Sequence, residues 1–319
     1  MKEVSGYFQL EEGHAAPLHS RAALPNSARN ALRCIVRAMG VKAIQVPYYT
    51  CPVVWHALEA ENCELIPYDV DDAFMPLCTA TKIPLLYTNY FGVCSENVRN
   101  LKERFSTLIV DNAHAFYTEP EGTACFWSPR KFFGLPDGGI MWPASCASRE
   151  LPVSESWQRC SHLLKRWDLG AGAAYADFQQ NDASLDSEPP LAMSKLTRAM
   201  MSSLDIETAQ ERRRENFRIL HEALGETNLL PLDLEAILEA GAVPMVYPYR
   251  IKASGLRRHL IENKIFVATY WPAEEGCDCM RSELAQLMAQ EILPVPLDQR
   301  YNREDMERII EIALETRVA

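Results

Sequence analysis

The sequence predicts an α/β protein, with a large domain on a mostly parallel sheet and a smaller C-terminal α+β domain. Three observations predict it. Short apolar runs alternate with amphipathic stretches through the first 142 residues, the spacing of strand–helix–strand units. Polar side chains collect where the runs end, at Tyr49, Asn89 and Asp111. In covered parallel sheets, ligands sit beyond those carboxyl ends. The chain has 319 residues, 48% of them hydrophobic, enough for one large core and a second, smaller one.

The elements follow in order. Residues 1 to 24 read as an extended arm. Asn26 or Ser27 caps an amphipathic helix from Ala28 to Met39, and Gly40 stops it. A buried strand spans Val41 to Pro47, a helix Val53 to Glu61, and a second strand Cys63 to Tyr68. A third strand covers Ile83 to Thr88, a helix Ser95 to Phe105, and a fourth strand Thr107 to Val110. Ile140-Met141-Trp142 reads as the next strand. Gly170 to Pro190, rich in Ala, Gly, Asp and Ser, reads as a loop. Helices resume over Met193 to Ser203 and Ile206 to Leu224. Val243 to Ile251, Leu256 to Asn263, Phe266 to Tyr270 and a helix from Arg303 to Glu315 form the α+β part. The boundary is placed between residues 205 and 206.

Charge and composition narrow the function. A net charge of −11 and a pI near 5.2 argue against a nucleic-acid or anionic-membrane surface. The one dense basic run, Arg212-Arg213-Arg214, sits among Glu207, Glu211 and Glu215 and reads as a solvated helix face. Met1-Lys2-Glu3-Val4 lacks the apolar core of a signal peptide, and no apolar run approaches the ~20 residues of a membrane span, so a cytoplasmic protein is expected. The ten cysteines are scattered and read as free thiols. Cys277-Asp278-Cys279 is the only close pair, with no His near it, so no metal site is expected.

The chemistry concentrates between Asp111 and Gly139. An acid at the end of a buried strand, His114 soon after, and a lone Lys131 between Ser128 and Gly138-Gly139 form a specific set. It suits pyridoxal phosphate (PLP). Lys131 would form the Schiff base, and Asp111 would pair with the protonated ring nitrogen. Each residue has a plainer reading: an exposed lysine, a turn-capping acid, a structural histidine. Ser128 would reach the phosphate or steady the lysine. The helix start at Ala28 and Arg29 offers free N–H groups and a guanidinium to a phosphate, or is an ordinary capped helix. Tyr49 would stack on the ring or pack in the core. Asn89 would bond the ring hydroxyl.

These pieces resemble the DegT/DnrJ/StrS family of PLP-dependent sugar aminotransferases, within the aspartate-aminotransferase fold. Ser27-Ala28-Arg29-Asn30-Ala31-Leu32 is similar to the family's phosphate motif, and Val46-Pro47-Tyr48-Tyr49-Thr50 to its stacking segment. Pro67-Tyr68-Asp69-Val70-Asp71, Asp111-Asn112-Ala113-His114, Ser128 through Gly139, and the tail from Ile292 to Leu297 with Asn302 to Asp305 follow in the family's order. The resemblance implies a large PLP-binding domain, a homodimer with sites near its interface, glutamate as amino donor and a nucleotide-linked keto sugar as acceptor. It also implies Lys131 as the catalytic lysine. The departures are a short chain, Ala28-Arg29 where the family has Gly-Thr, a tighter Ser-to-Lys spacing, and no match between 170 and 190 for the family's neighbour-donated Asn. A PLP-dependent lyase or dehydratase of the same fold would keep the cofactor residues, although dehydratases of this resemblance carry His in place of the lysine. A non-catalytic relative that binds a sugar or a partner protein would dispense with the cofactor.

Overall fold

The first strand of the sheet, β1 (Ala43–Pro47), pairs in parallel with β2 (Glu64–Tyr68) on one side and β3 (Leu85–Thr88) on the other. β4 (Leu108–Asp111) and β5 (Ala124–Trp127) continue in parallel, and β6 (Ile140–Trp142) closes the edge antiparallel to β5. The order is β2-β1-β3-β4-β5-β6. The computed structural model describes residues 10–16, 18–147, 151–252, 255–272 and 281–315. The sheet is the mostly parallel one the sequence predicts. Its central strands are apolar on both faces because helices cover both: all four residues of β3, β4 and β5 are buried. Burying one such Ile109 or Leu86 side chain is worth roughly 1.5–3 kcal/mol.

Helix α1 (Ala28–Ala38) begins where Ser27 Oγ accepts the Asn30 N–H at 3.2 Å and ends before Gly40, whose φ is 63°. Its face of Ala31, Leu32, Cys34, Ile35 and Val36 is buried against β5 and β6. α2 (Pro52–Glu59) and α3 (Ser95–Arg104) are the crossover helices. Gly139 opens β6 directly beneath the start of α1: a Cβ there would lie 2.4 Å from the Ser27 carbonyl carbon and oxygen. Backbone cannot yield as a side chain does, so Gly139→Ala is expected to lower the unfolding free energy by roughly 1–3 kcal/mol. Urea denaturation measures it, and an unchanged midpoint would contradict that close approach.

The sequence reading needs correction in four places. Most of residues 170–190 is not a loop: α4 (Ser161–Ser184) covers them as far as Ser184, broken only at Gly170 (φ 84°, ψ 175°), and only 185–190 lie outside the helix. Gly170 and Gly172 masked the helix formers Ala173, Ala174, Ala176, Gln179 and Gln180 around them. β5 went unread because half of it, Ala124 and Cys125, lacks the β-branched or aromatic side chains that mark a strand. Phe266 to Tyr270, expected to be part of the α+β region, carries neither helix nor strand. The basic run is not a solvated face either. On α6 (Ile206–Leu224), Arg213 is 2% exposed and takes an inward position with Asn216, Phe217 and Leu220.

α5 (Lys195–Met201) precedes α6. Beyond it lie α7 (Leu234–Glu239), β7 (Tyr247–Arg250), α8 (Leu256–Glu262), α9 (Glu283–Glu291), β8 (Ile292–Val295) and α10 (Arg303–Glu315). β7 and β8 form a separate antiparallel pair, with Tyr247 opposite Val295. Among the described residues no helix is long and apolar enough to cross a membrane. Nor does any group of three or more His, Cys, Asp or Glu stand ready to hold a metal ion. The eight cysteines in the described residues are free, and the Cys277/Cys279 pair lies outside them.

Candidate active site

Asp111 ends β4. Its Oδ1 accepts the Ala113 N–H at 2.8 Å, turning the chain sharply at the strand end. The side chain is 4% exposed and forms no ion pair among the described residues. Burial pushes its carboxyl up to about 6, against a smaller lowering by the Ala113 N–H and by the charge of Lys131.

The turn carries His114 back over the strand ends. His114 Nδ1 accepts the Phe91 N–H at 3.3 Å, and Nε2 lies 2.9 Å from Lys131 Nζ. Burial holds the imidazole well below its ordinary range, with the Lys131 charge acting in the same sense. The ring is therefore neutral. With Nδ1 accepting, its proton sits on Nε2 and faces the amine, whose lone pair accepts it when the amine is neutral. The imidazole stacks on Trp271 (centroids 5.3 Å apart, 17° between planes), and Tyr270 stands 5.9 Å from Lys131 Nζ.

Lys131 closes a 3₁₀ turn, Pro129–Lys131, and is exposed. Ser128 is buried, and its carbonyl accepts the Lys131 N–H at 3.2 Å. Beyond the turn, the Gly138 and Gly139 N–H groups donate to the Asn26 and Pro25 carbonyls, seating β6 against the start of α1. Ser27 takes the Asn30 and Ala31 N–H groups, leaving the Ala28 and Arg29 amides without helical partners. Arg29 pairs with Asp186 and lies 3.9 Å from Asp182. Arg130 donates two hydrogen bonds to the same Asp182 oxygen at 3.2 Å, while its Nε is buried without a partner. Two guanidinium groups thus converge at the α1 N-terminus, bridged by a carboxylate from α4.

Two predicted residues stand apart from this cluster. Tyr49 is 1% exposed, stacks on Tyr90 at 5.6 Å and meets Trp271 edge-on. Trp271 contacts both Tyr49 and His114, and the Tyr49 hydroxyl is unpartnered. Asn89 donates to Asn112 Oδ1 at 3.2 Å and accepts the Cys94 N–H at 3.1 Å, so its amide ties β3 to β4.

No protein-family model matches the sequence, and no curated protein matches it. Solved structures do match in shape. DesV of S. venezuelae is 17% identical over 92% of this chain and 84% of its own, with a TM-score of 0.63. A DegT DnrJ EryC1 StrS aminotransferase from Brucella abortus is 16% identical over 92% and 85%, with a TM-score of 0.62. The PLP form of Spr1654 from Streptococcus pneumoniae, described as a sugar aminotransferase, is 14% identical over 96% and 93%, with a TM-score of 0.65. The chain has the fold of these aminotransferases.

At such identities the likeness is one of fold, and the chemistry rests on this chain's own residues. They fit PLP. Asp111 is a buried acid without a cation of its own, Lys131 offers an amine held by a neutral histidine, and the α1 amides with Arg29 and Arg130 offer donors to a phosphate. The sequence reading missed Arg130, Tyr270, Trp271 and Cys51. Arg130 adjoins Lys131, and its charge was the available signal. Cys51 lies two residues past Tyr49; burial raises its thiol, and it feels the charges of Lys131, Asp111 and Arg29. The aromatic pair carried no local signal, because it arrives from the C-terminal third.

Proposed function

We propose that this chain is a PLP-dependent aminotransferase that moves an amino group, with glutamate as donor, to a nucleotide-linked keto sugar. The observation that carries the reading is the pairing of unlike environments beside one lysine. A buried carboxylate without a cation stands near an amine that a neutral histidine orients. When bound, PLP supplies an electron sink for the carbon bearing the amino group. Lys131 would hold the aldehyde carbon and then carry a proton to and from the substrate carbon as general base and acid. Asp111 would keep the ring nitrogen protonated, and His114 would orient the lysine. Ala28, Arg29, Arg130 and Ser128 would hold the phosphate end. The large domain would span residues 1–205 and the small one 206–319, in a homodimer.

Titrating the protein with PLP tests the reading: a visible absorbance band is expected at one equivalent, and glutamate is expected to bleach it. A screen of nucleotide keto sugars then identifies the acceptor. The band is also expected to depend on pH with a definite sign. Asp111's folded pKa is raised, so its proton is held up to about pH 6, and its contribution to stability is lost as pH rises through that value. A cationic ring nitrogen needs the ionised form. PLP affinity should therefore rise with pH through about 6, and at pH 5 fall about tenfold below its plateau. An affinity independent of pH between 5 and 8 would separate Asp111 from the ring nitrogen.

A second reading, a binding protein without the cofactor, draws on one observation. Carboxylates already engage both Arg29 and Arg130. Absence of any absorbance band, with no rise in melting temperature on adding PLP, would favour it.

A further inference from the structure

We propose that Arg213 and Gln299 are positioning residues that hold the Lys131 turn from behind, so that its amine is presented to the cofactor aldehyde. The proposal rests on the reading of Lys131 as the PLP anchor. Phe132, the next residue in the chain, is held at two points. Its carbonyl accepts the Gln299 Nε2–H at 2.8 Å, a contact across 167 residues of sequence. Its ring lies under the Arg213 guanidinium, 4.6 Å from carbon to centroid. Arg213 Nε donates to Gln299 Oε1 at 2.8 Å, which closes the arrangement into a ring of contacts.

Arg213 does not move freely. Its Nη1 donates to the Met245 carbonyl at 2.9 Å and to that of Pro244 at 3.4 Å. It is 2% exposed and forms no ion pair among the described residues. Burial lowers its pKa to about 10, partly offset by the charge of Asp298, which itself pairs with Arg300. A guanidinium in such a place is costly unless its donors are used. Here carbonyls, an amide and an aromatic face take them. Phe116 and Tyr117 pack the other edges of Phe132.

The lysine needs this support because its own turn is slight. Three residues of 3₁₀ geometry are tied by the Lys131 N–H to Ser128 at 3.2 Å and by the Phe132 and Phe133 N–H groups to Pro129 at 3.0 Å. A small rotation there swings Nζ, at the end of four methylenes, by much more. Misplacing a reacting group by about 1 Å costs as much as about 10²-fold in rate. The grip comes from α6 and from the loop before α10, so the C-terminal third would set the geometry of a lysine that belongs to the large sheet.

The test compares two ligands. Pyridoxine 5′-phosphate keeps the ring and phosphate of PLP but has no aldehyde for an amine to capture with loss of water. Gln299→Glu keeps an acceptor for Arg213 and removes the donor to Phe132. Arg213→Lys keeps a cation in place and removes the fork. In Gln299→Glu the dissociation constant for PLP is expected to rise about tenfold, with that for pyridoxine 5′-phosphate held within about twofold. Arg213→Lys should shift the same ratio in the same direction. Equal weakening of both ligands, or no weakening of either, overturns the proposal. If the unmodified protein gives no visible band with PLP, the assignment of Lys131 fails and the positioning role falls with it. A normal band that both variants bind at full affinity overturns the positioning role alone.

Discussion

Lys131→Ala is expected to abolish the visible absorbance with PLP and to stop turnover. Lys131 is the amine placed against His114 Nε2, and alanine offers neither a nucleophile nor a proton carrier. The loss of a covalent anchor and of general acid–base transfer together predicts a fall of more than about 10⁴-fold in rate. The fold should survive, because Lys131 is exposed and its turn is held by backbone bonds and by Phe132. The far-ultraviolet circular dichroism and melting temperature should match the parent protein. Turnover retained in this variant would remove Lys131 from the reaction.

Asp111→Asn is expected to change activity and stability in opposite directions. An amide still accepts the Ala113 N–H, so the turn after β4 keeps its bond. It cannot hold a proton on the ring nitrogen by charge, and turnover should fall by roughly 10²–10⁴-fold. Stability without cofactor should rise. Holding Asp111 ionised above pH 6, against an ordinary value of 3.8, costs roughly 3 kcal/mol. The neutral amide avoids that cost, so urea denaturation at pH 8 should show a higher midpoint. The gain should vanish below pH 4, where the native carboxyl is protonated as well. A variant less stable than the parent at pH 8 would show that Asp111 is a structural anion. Such opposition is expected of a residue kept for function against the preference of the fold.

Much of the architecture was legible because its signals are local. α1 was readable from a Ser27 cap, an apolar stripe and Gly40, and α6 and α10 from their periodicity. β1 to β4 were readable as apolar runs between polar ends. The core of the candidate site was legible for the same reason: Asp111, His114 and Lys131 lie within 21 residues and meet through one turn. β5 opens on Ala124 and Cys125, which carry little strand preference, and α4 was hidden by its glycines. Arg213 was misread because in sequence it sits between two arginines flanked by Glu211 and Glu215, whereas its neighbours in space are carbonyls, Gln299 and Phe132.

The sequence by itself determined the alternation of strands and helices, and with it the strand end that carries Asp111 and the turn that carries Lys131. It did so because periodicity, caps and strand ends are read within a few residues. Only the tertiary structure decided which side chains surround that lysine. Tyr270 comes within 5.9 Å of its amine, Trp271 stacks on His114, Arg130 and Arg29 meet at α1 through Asp182, and Gln299 reaches Phe132 from 167 residues away. It also stacked Tyr49 on Tyr90 and gave Asn89 a tie to Asn112 at the end of the next strand. Those contacts depend on the register of the sheet and on how the C-terminal third packs against it, and no local pattern records either.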